Sequence, residues 1–284
     1  MLTSTATSEQ ASFVATDGLE LFYRVWRAKQ PEAVVLIAHG YAEHSGRYER
    51  FATYLNEHNV SVYALDHRGH GRSEGERANV SVFRCFVNDL ARFSDIVRER
   101  EPVHPRILLG HSMGGVVAAQ FVLEHPLKVD ALILSAPYLK NAVAVPKVLL
   151  ALSEPVARFF PSLPTIKIDT SKLSHDKAVV AAYEADPLVY NGATKARMGA
   201  ELMNAGKYVL ERAESVDLPL LVLHGDADEI ADPAGAQELF EHSSSSDKTL
   251  KLYQGFYHEV LNEPDKEKVY ADIRKWLEHV EAST

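Results

Sequence analysis

Six short apolar runs, separated by helix-period stretches, set the fold class open to this chain. The runs are "AVVLIAHG" (33–40), "VSVYALD" (60–66), "RILLG" (106–110), "DALILSAP" (130–137), "LPLLVLHGDAD" (218–228) and "TLKLYQG" (249–255). Runs of this length, apolar on both faces, suit strands in the middle of a parallel sheet. Between them, helical periodicity falls at about 46–58, 83–100, 114–125, 233–242 and 264–280. Such alternation calls for right-handed crossovers and a mostly parallel, doubly wound α/β sheet. Upstream, "ASFVAT" and "LELFYRVW" flank Asp17-Gly18, which predicts an opening antiparallel hairpin with a two-residue turn.

The alternation fails between Pro137 and about Ser215, where no strand is evident and "VPKVLLALSEPVARFFPSLP" reads as helix punctuated by prolines. The expected organisation is a sheet domain made of residues 1–136 and 216–284, with 137–215 inserted as a helical cap. At 284 residues, one large α/β domain with such an insertion is feasible. Pro146, Pro155, Pro161 and Pro164 limit any long continuous helix in the cap.

The formal net charge of −9 and the lack of a long Lys/Arg run argue against nucleic acid as a partner. One cysteine, Cys85, excludes an internal disulfide and a cysteine metal cluster, and fits a reducing compartment. The start "MLTSTATSEQ" has neither the basic end nor the apolar segment of a leader peptide, and no run of about eighteen apolar residues occurs. A cytoplasmic protein that does not span a membrane is expected.

The chemistry is carried by "RILLGHSMGGVVAA" (106–119). Gly110-His111-Ser112-Met113-Gly114 fits G-x-S-x-G at a strand-to-helix junction, where glycines let strand and helix close around a strained, exposed serine. The bland reading of Ser112 is a helix N-cap. A serine hydroxyl is a poor nucleophile and needs a base oriented by an acid; on such a sheet the chain order is serine, acid, histidine. Of the acids after "LPLLVLHG", Asp226 reads as shaping the turn and Asp232 as capping the next helix, which leaves Asp228. Of the later histidines, His242 and His279 fall in polar helical stretches, and His258 in the loop "GFYHEVLNEP" is the candidate base. The oxyanion requires main-chain donors, for which Met113 N–H and Tyr41 N–H, in "AHGYAEHSGRY", are placed.

"HGYAEHSGRY" (39–48), "DHRGHGRSEGER" (66–77), "GHSMGG" (110–115), "IDTSKLS" (168–174), "DPL" (186–188) and "DKTLKLYQGFYH" (247–258) together resemble the monoacylglycerol lipases of the lysophospholipase-like α/β-hydrolases, from about Phe13 to Trp276. The resemblance implies an α/β-hydrolase fold, Ser112, Asp228 and His258 as triad, and Tyr41 and Met113 as oxyanion hole. It also implies Glu43 and Arg47 at the polar end of the pocket and Tyr183 of the cap as a contributor. It implies no metal and no cofactor; His67 and His70 of "DHRGHGRSEGER" lack the spacing of a metal motif, and that loop's charges are expected to pair locally. Leu261 stands where mammalian members carry a further histidine, while Glu259 and Asn262-Glu263 look like bacterial members.

The expected activity is hydrolysis of a monoacylglycerol to fatty acid and glycerol through an acyl-enzyme. The acyl chain would lie in an apolar tunnel under the cap, with transient membrane-surface contact through the cap. The rivals are a lysophospholipase or general carboxylesterase of the same fold, and a non-catalytic lipid-binding protein. Oligomeric state is not legible.

Overall fold

The computed structural model describes residues 8–102, 105–142 and 147–283. Residues 1–7, on which most of the leader-peptide expectation rests, and Pro146 lie outside the described residues. The strands are β1 (Glu9–Val14), β2 (Glu20–Trp26), β3 (Ala33–Ala38), β4 (Val60–Leu65), β5 (Arg106–His111), β6 (Ala131–Ser135), β7 (Leu220–Gly225) and β8 (Lys248–Tyr253). They form one eight-stranded sheet in the order β1-β2-β4-β3-β5-β6-β7-β8. β2 runs antiparallel to β1 and β4, and every pairing from β4 through β3 to β8 is parallel.

The helices are α1 (Glu49–Glu57), α2 (Arg84–Arg100), α3 (Met113–Glu124), α4 (Lys147–Phe159), α5 (Lys177–Ala185), α6 (Ala196–Leu210), α7 (Pro233–His242) and α8 (Lys266–Ser283). The pleat divides the core in two. From β5, Leu108 packs with Phe86 and Leu90 of α2 and Val117 and Phe121 of α3. Its neighbours Ile107 and Leu109 face the other way, with Phe51 and Leu55 of α1 and Ile273 and Leu277 of α8. Each such side chain, removed from water, contributes roughly 1.5–3 kcal/mol. Helix α3 is buried from Met113 through Val122, being packed against the sheet, α2 and α6, which explains why its sequence is apolar all round.

Three expectations need correction. Strand β8 belongs by its apolar content with the buried strands, yet it is the edge of the sheet and its residues are half-buried or exposed. The opening hairpin does not turn in two residues: Ala15 N–H donates to Leu19 O, leaving 16–18 as the turn, with Gly18 at φ +92°. Asp17 instead accepts from Arg68. In α4 the helix runs through Pro155 and stops only at Phe159.

Among the described residues, the segment between β6 and β7 contains helices and an isolated bridge, Pro164↔Lys195, but no strand; a second bridge, Asn141↔Ala231, ties it to the loop after β7. The carboxyl ends of β3, β5, β6, β7 and β8 share one rim, the place where an open α/β sheet holds ligands.

Candidate active site

Ser112 sits between β5 and α3 at φ +52°, ψ −118°, a conformation that costs a non-glycine residue strain. What holds it there is close packing of backbone. A Cβ on Gly114 would lie 2.0 Å from Ala38 O, and one on Gly110 would lie 2.3 Å from Gly114 O. Only glycine fits at either place, so β3, β5 and the start of α3 press together around the serine. Ser112 makes no side-chain cap to its helix. Its Oγ instead lies 2.8 Å from His258 Nε2.

The loop after β8 returns His258 to the rim, and His258 Nδ1 lies 2.7 Å from Asp228 Oδ2. Because Asp228 is ionised, Nδ1 carries the proton and donates it; Nε2 is left to accept from Ser112. The other Asp228 oxygen accepts from Ile230 N–H at 2.8 Å and Ala231 N–H at 3.1 Å, which fixes the carboxylate plane. Burial would raise the Asp228 pKa, but the charge of His258 and hydrogen bonds from His224 and His258 outweigh it and hold the carboxyl well below the usual range. Burial would lower that of His258, but the charge and hydrogen bond of Asp228, then the charges of Glu259 and Glu43, lift it above its ordinary value. The competing acids are occupied otherwise: Asp226 accepts from Gly255 N–H and Asp232 caps α7 on Ala234 N–H.

Two further residues shape this site, His224, which the sequence does not single out, and Glu259, which the resemblance marks without giving it a role. His224, fully buried near the end of β7, donates from Nε2 to Asp228 Oδ2 at 3.0 Å and to Ala231 O at 3.2 Å. Its signal is a histidine four positions before the acid in an otherwise apolar strand. Glu259 follows His258 and makes a bidentate pair with Arg47, at 2.7 and 2.8 Å.

Glu43 belongs to the same cluster as that pair. Arg47 also donates to Glu43 at 2.7 Å, and Glu43 accepts in addition from Tyr48 O–H and Gly40 N–H. The guanidinium is thus bracketed by two carboxylates in a buried cluster. Burial would raise the Glu43 carboxyl, but Arg47, then His111 and His39, hold it down at about 2. Tyr183 lies with its ring 4.7 Å from the Arg47 guanidinium. Leu261 is buried in the apolar core and its carbonyl accepts from Tyr270 O–H.

The N–H groups of Tyr41 and Met113 have no acceptor among the described residues. Met113 N–H belongs to the first turn of α3, where donors lack intrahelical partners. Gly40 adjoins the serine closely, since a Cβ built on it would lie 3.3 Å from Ser112 Cβ.

The segment 168–174 touches the site through its backbone: Leu173 O accepts from Glu259 N–H at 2.8 Å, and Lys172 O from His258 N–H at 3.5 Å. Nearby, a cavity of about 10 Å³ is lined by Tyr41, Ala42, Ile168, Tyr183 and Tyr190 among others. The charges of 66–77 pair across the fold rather than locally, Arg68 with Asp17 and Asp89, and Glu76 with Lys195.

Residues 29–265 match the protein family described as serine aminopeptidase, S33. The chain is 39% identical over 273 residues to the monoacylglycerol lipase of Mycolicibacterium smegmatis, covering 96% of this chain and 98% of that one. It is 37% identical over 268 residues to the human monoglyceride lipase, covering 93% and 88% of the two chains. Among solved structures, the monoacylglycerol lipase of Paleococcus ferrophilus superposes with a TM-score of 0.79 at 29% identity, covering 98% and 100% of the two chains.

Proposed function

Because the chain belongs to the serine aminopeptidase S33 family and, within it, to the monoacylglycerol lipases of α/β-hydrolase fold, we propose that it cleaves monoacylglycerols to fatty acid and glycerol. The observation that carries this reading is the unbroken chain from Ser112 Oγ through the His258 ring to Asp228, 2.8 Å and 2.7 Å long.

Ser112 Oγ attacks the ester carbonyl carbon as His258 Nε2 takes its proton. The oxyanion so formed accepts from Tyr41 and Met113 N–H. Collapse breaks the bond to the glycerol oxygen, which takes the proton from His258, and leaves the acyl group on Ser112. Water, deprotonated by the same imidazole, then attacks the acyl carbon and releases fatty acid. Asp228 keeps the ring in the required tautomer and stabilises it while charged.

Residues 137–215 are read as a cap over this site. Within that segment Phe159, Phe160, Leu163 and Ile166 are 71%, 64%, 47% and 70% exposed. Four large apolar side chains in eight positions, flanked by Arg158 and Lys167, suit contact with a lipid surface. No helix among the described residues is long and apolar enough to cross a membrane, so the contact is peripheral.

The test is fatty-acid release from matched oleoyl esters of glycerol (mono-, di- and tri-), oleoyl lysophosphatidylcholine and a short-chain ester, with Ser112→Ala alongside. Preference for the monoacylglycerol supports the reading. Preference for another ester keeps the catalytic residues and overturns the substrate, and turnover independent of Ser112 overturns the hydrolase itself.

A further inference from the structure

The peptide that presents Tyr41 N–H to the oxyanion is held by a side chain with no part in the proton relay. His39, at the end of β3, is fully buried, with its ring 4.5 Å from that of His67 and 5.5 Å from that of His70. His67 N–H donates to His39 Nε2 at 2.9 Å. A main-chain N–H can only donate, so Nε2 is an acceptor without a proton, and the proton of the neutral ring is on Nδ1. Burial holds His39 below its ordinary pKa, against the opposing pull of Glu43 and Asp66, so the ring stays neutral at working pH.

His39 Nδ1 lies 2.7 Å from Gly40 O. With its proton there, the ring donates to that carbonyl. The carbonyl of Gly40 and the N–H of Tyr41 belong to one planar trans peptide and point in opposite directions. Fixing the carbonyl toward His39 therefore turns the N–H away from it. From the other side, Glu43 accepts from Gly40 N–H at 2.7 Å and fixes the preceding peptide. Gly40, which has no side chain to limit its rotation, is thus clamped at both of its peptide bonds.

We infer that His39 is a positioning residue for the oxyanion hole: its Nδ1 proton, placed by the main chain of His67, orients the Gly40–Tyr41 peptide so that Tyr41 N–H faces the carbonyl attacked by Ser112. The inference rests on the serine-hydrolase reading and adds a residue to it. Loss of His39 weakens stabilisation of the transition state and leaves ground-state binding of the ester largely intact.

Two polar replacements separate this role from simple packing. In His39→Asn the amide nitrogen takes the place of Nδ1 and donates to Gly40 O; in His39→Gln the amide oxygen takes the place of Nε2 and accepts from His67 N–H, leaving Gly40 O without its donor. Both are assayed in the full chain on a monoacylglycerol and on a p-nitrophenyl ester, after thermal unfolding has shown each to be folded. A fluorophosphonate probe reports whether Ser112 is a nucleophile in the wild type. His39→Gln is expected to lose roughly 10²–10³-fold in kcat, the cost of one oxyanion donor, with KM changed by less than about threefold. His39→Asn is expected to stay within about tenfold of wild type. Equal losses in the two variants, or a His39→Gln enzyme with kcat within about threefold of wild type, overturn the inference and leave the hydrolase standing. Failure of the probe to label Ser112 overturns the hydrolase reading and the inference with it.

Discussion

His224 and His258 donate to the same oxygen of Asp228, from Nε2 at 3.0 Å and from Nδ1 at 2.7 Å. Asp228, the proposed acid of the relay, is therefore held by two imidazoles and, on its other oxygen, by two main-chain N–H groups. His224→Leu removes one donor to a buried charge, a bond worth roughly 1.5–3 kcal/mol, and should lower kcat/KM about tenfold or more. His224→Gln, which restores a donor, should recover most of it. Because the folded pKa of Asp228 lies below its unfolded value of about 3.9, its contribution to stability is present above that pH and is lost as pH falls. In His224→Leu the depression is smaller, so a pH series of thermal unfolding should show less stability above about pH 4 than wild type and a gap that closes in acid.

As the proposed base, His258 acts only when neutral. Its pKa is raised in the fold, so kcat/KM should rise with pH through a limb lying above the ordinary histidine value of about 6.5. Asp228→Asn removes the principal raising charge and should shift the limb to lower pH while cutting the rate by about 10⁴. A pH–rate profile of each enzyme checks both. The stability linkage has the opposite sense to that of Asp228: the contribution of His258 is complete below about pH 6.5 and is lost as pH rises through the folded pKa.

Arg47 sits between the carboxylates of Glu43 and Glu259 with its side chain only 11% exposed. Arg47→Met leaves two buried negative charges facing each other, at a cost of about 3–5 kcal/mol near neutral pH. Relief comes by protonation. In the variant the two carboxyls should have pKa values above those of the unfolded chain, so its Tm should rise as pH falls from 8 to 5. The wild type, whose Glu43 is held at about 2, should gain nothing from these two carboxyls over that range.

Two glycine substitutions should have opposite effects. Gly114→Ala drives a methyl group to 2.0 Å from Ala38 O, a backbone atom of a central strand, and should abolish soluble expression or lower Tm steeply. Gly199→Ala, in α6, meets nothing closer than Thr194 Cγ2 at 3.8 Å and should stabilise by roughly 0.5–1 kcal/mol. Thermal unfolding of both variants is the measurement.

The exposed residues Phe159 and Phe160 make the lipid-surface proposal testable without touching the relay. A double Phe159→Ser, Phe160→Ser variant should co-sediment less with phosphatidylcholine vesicles and turn over vesicle-borne monoacylglycerol more slowly. Its rate on a soluble short-chain ester should be unchanged. Equal loss on both substrates would contradict a surface-binding role.

The parallel strands were legible because each is a short apolar run, and β3 through β7 are buried on both faces. β8 was less so: "TLKLYQG" has the apolar content of a central strand, and its place at the edge is set by its pairing with β7 alone, a long-range contact that local composition does not encode. Ser112, Asp228 and His258 could be selected because chain order and turn chemistry excluded competitors such as Asp226 and Asp232. The partners of Arg68 could not, since Asp17 and Asp89 lie 51 and 21 positions away and no periodicity links them. Glu43 and Arg47 drew attention through their motif. They pair directly, four positions apart, but the second carboxylate on Arg47, from Glu259 212 positions away, emerges only when the His258 loop folds back against the start of α1. His39 just after β3 and His224 within β7 are buried histidines in apolar surroundings, and a sequence does not reveal whether such a ring holds a proton for a neighbour or fills space.

Ser112 is made 146 positions before His258, and β7 and β8, which carry the acid and the base to the rim, are the last strands of the chain. On the proposed mechanism, a growing chain that has already formed the serine turn therefore holds an ordinary alcohol, still without its base and acid. Reactivity arrives only when the C-terminal strands zip onto the sheet, which makes ester cleavage a clock for completion of the fold: during refolding it should be the last signal to return, after helix content and after burial of Trp26.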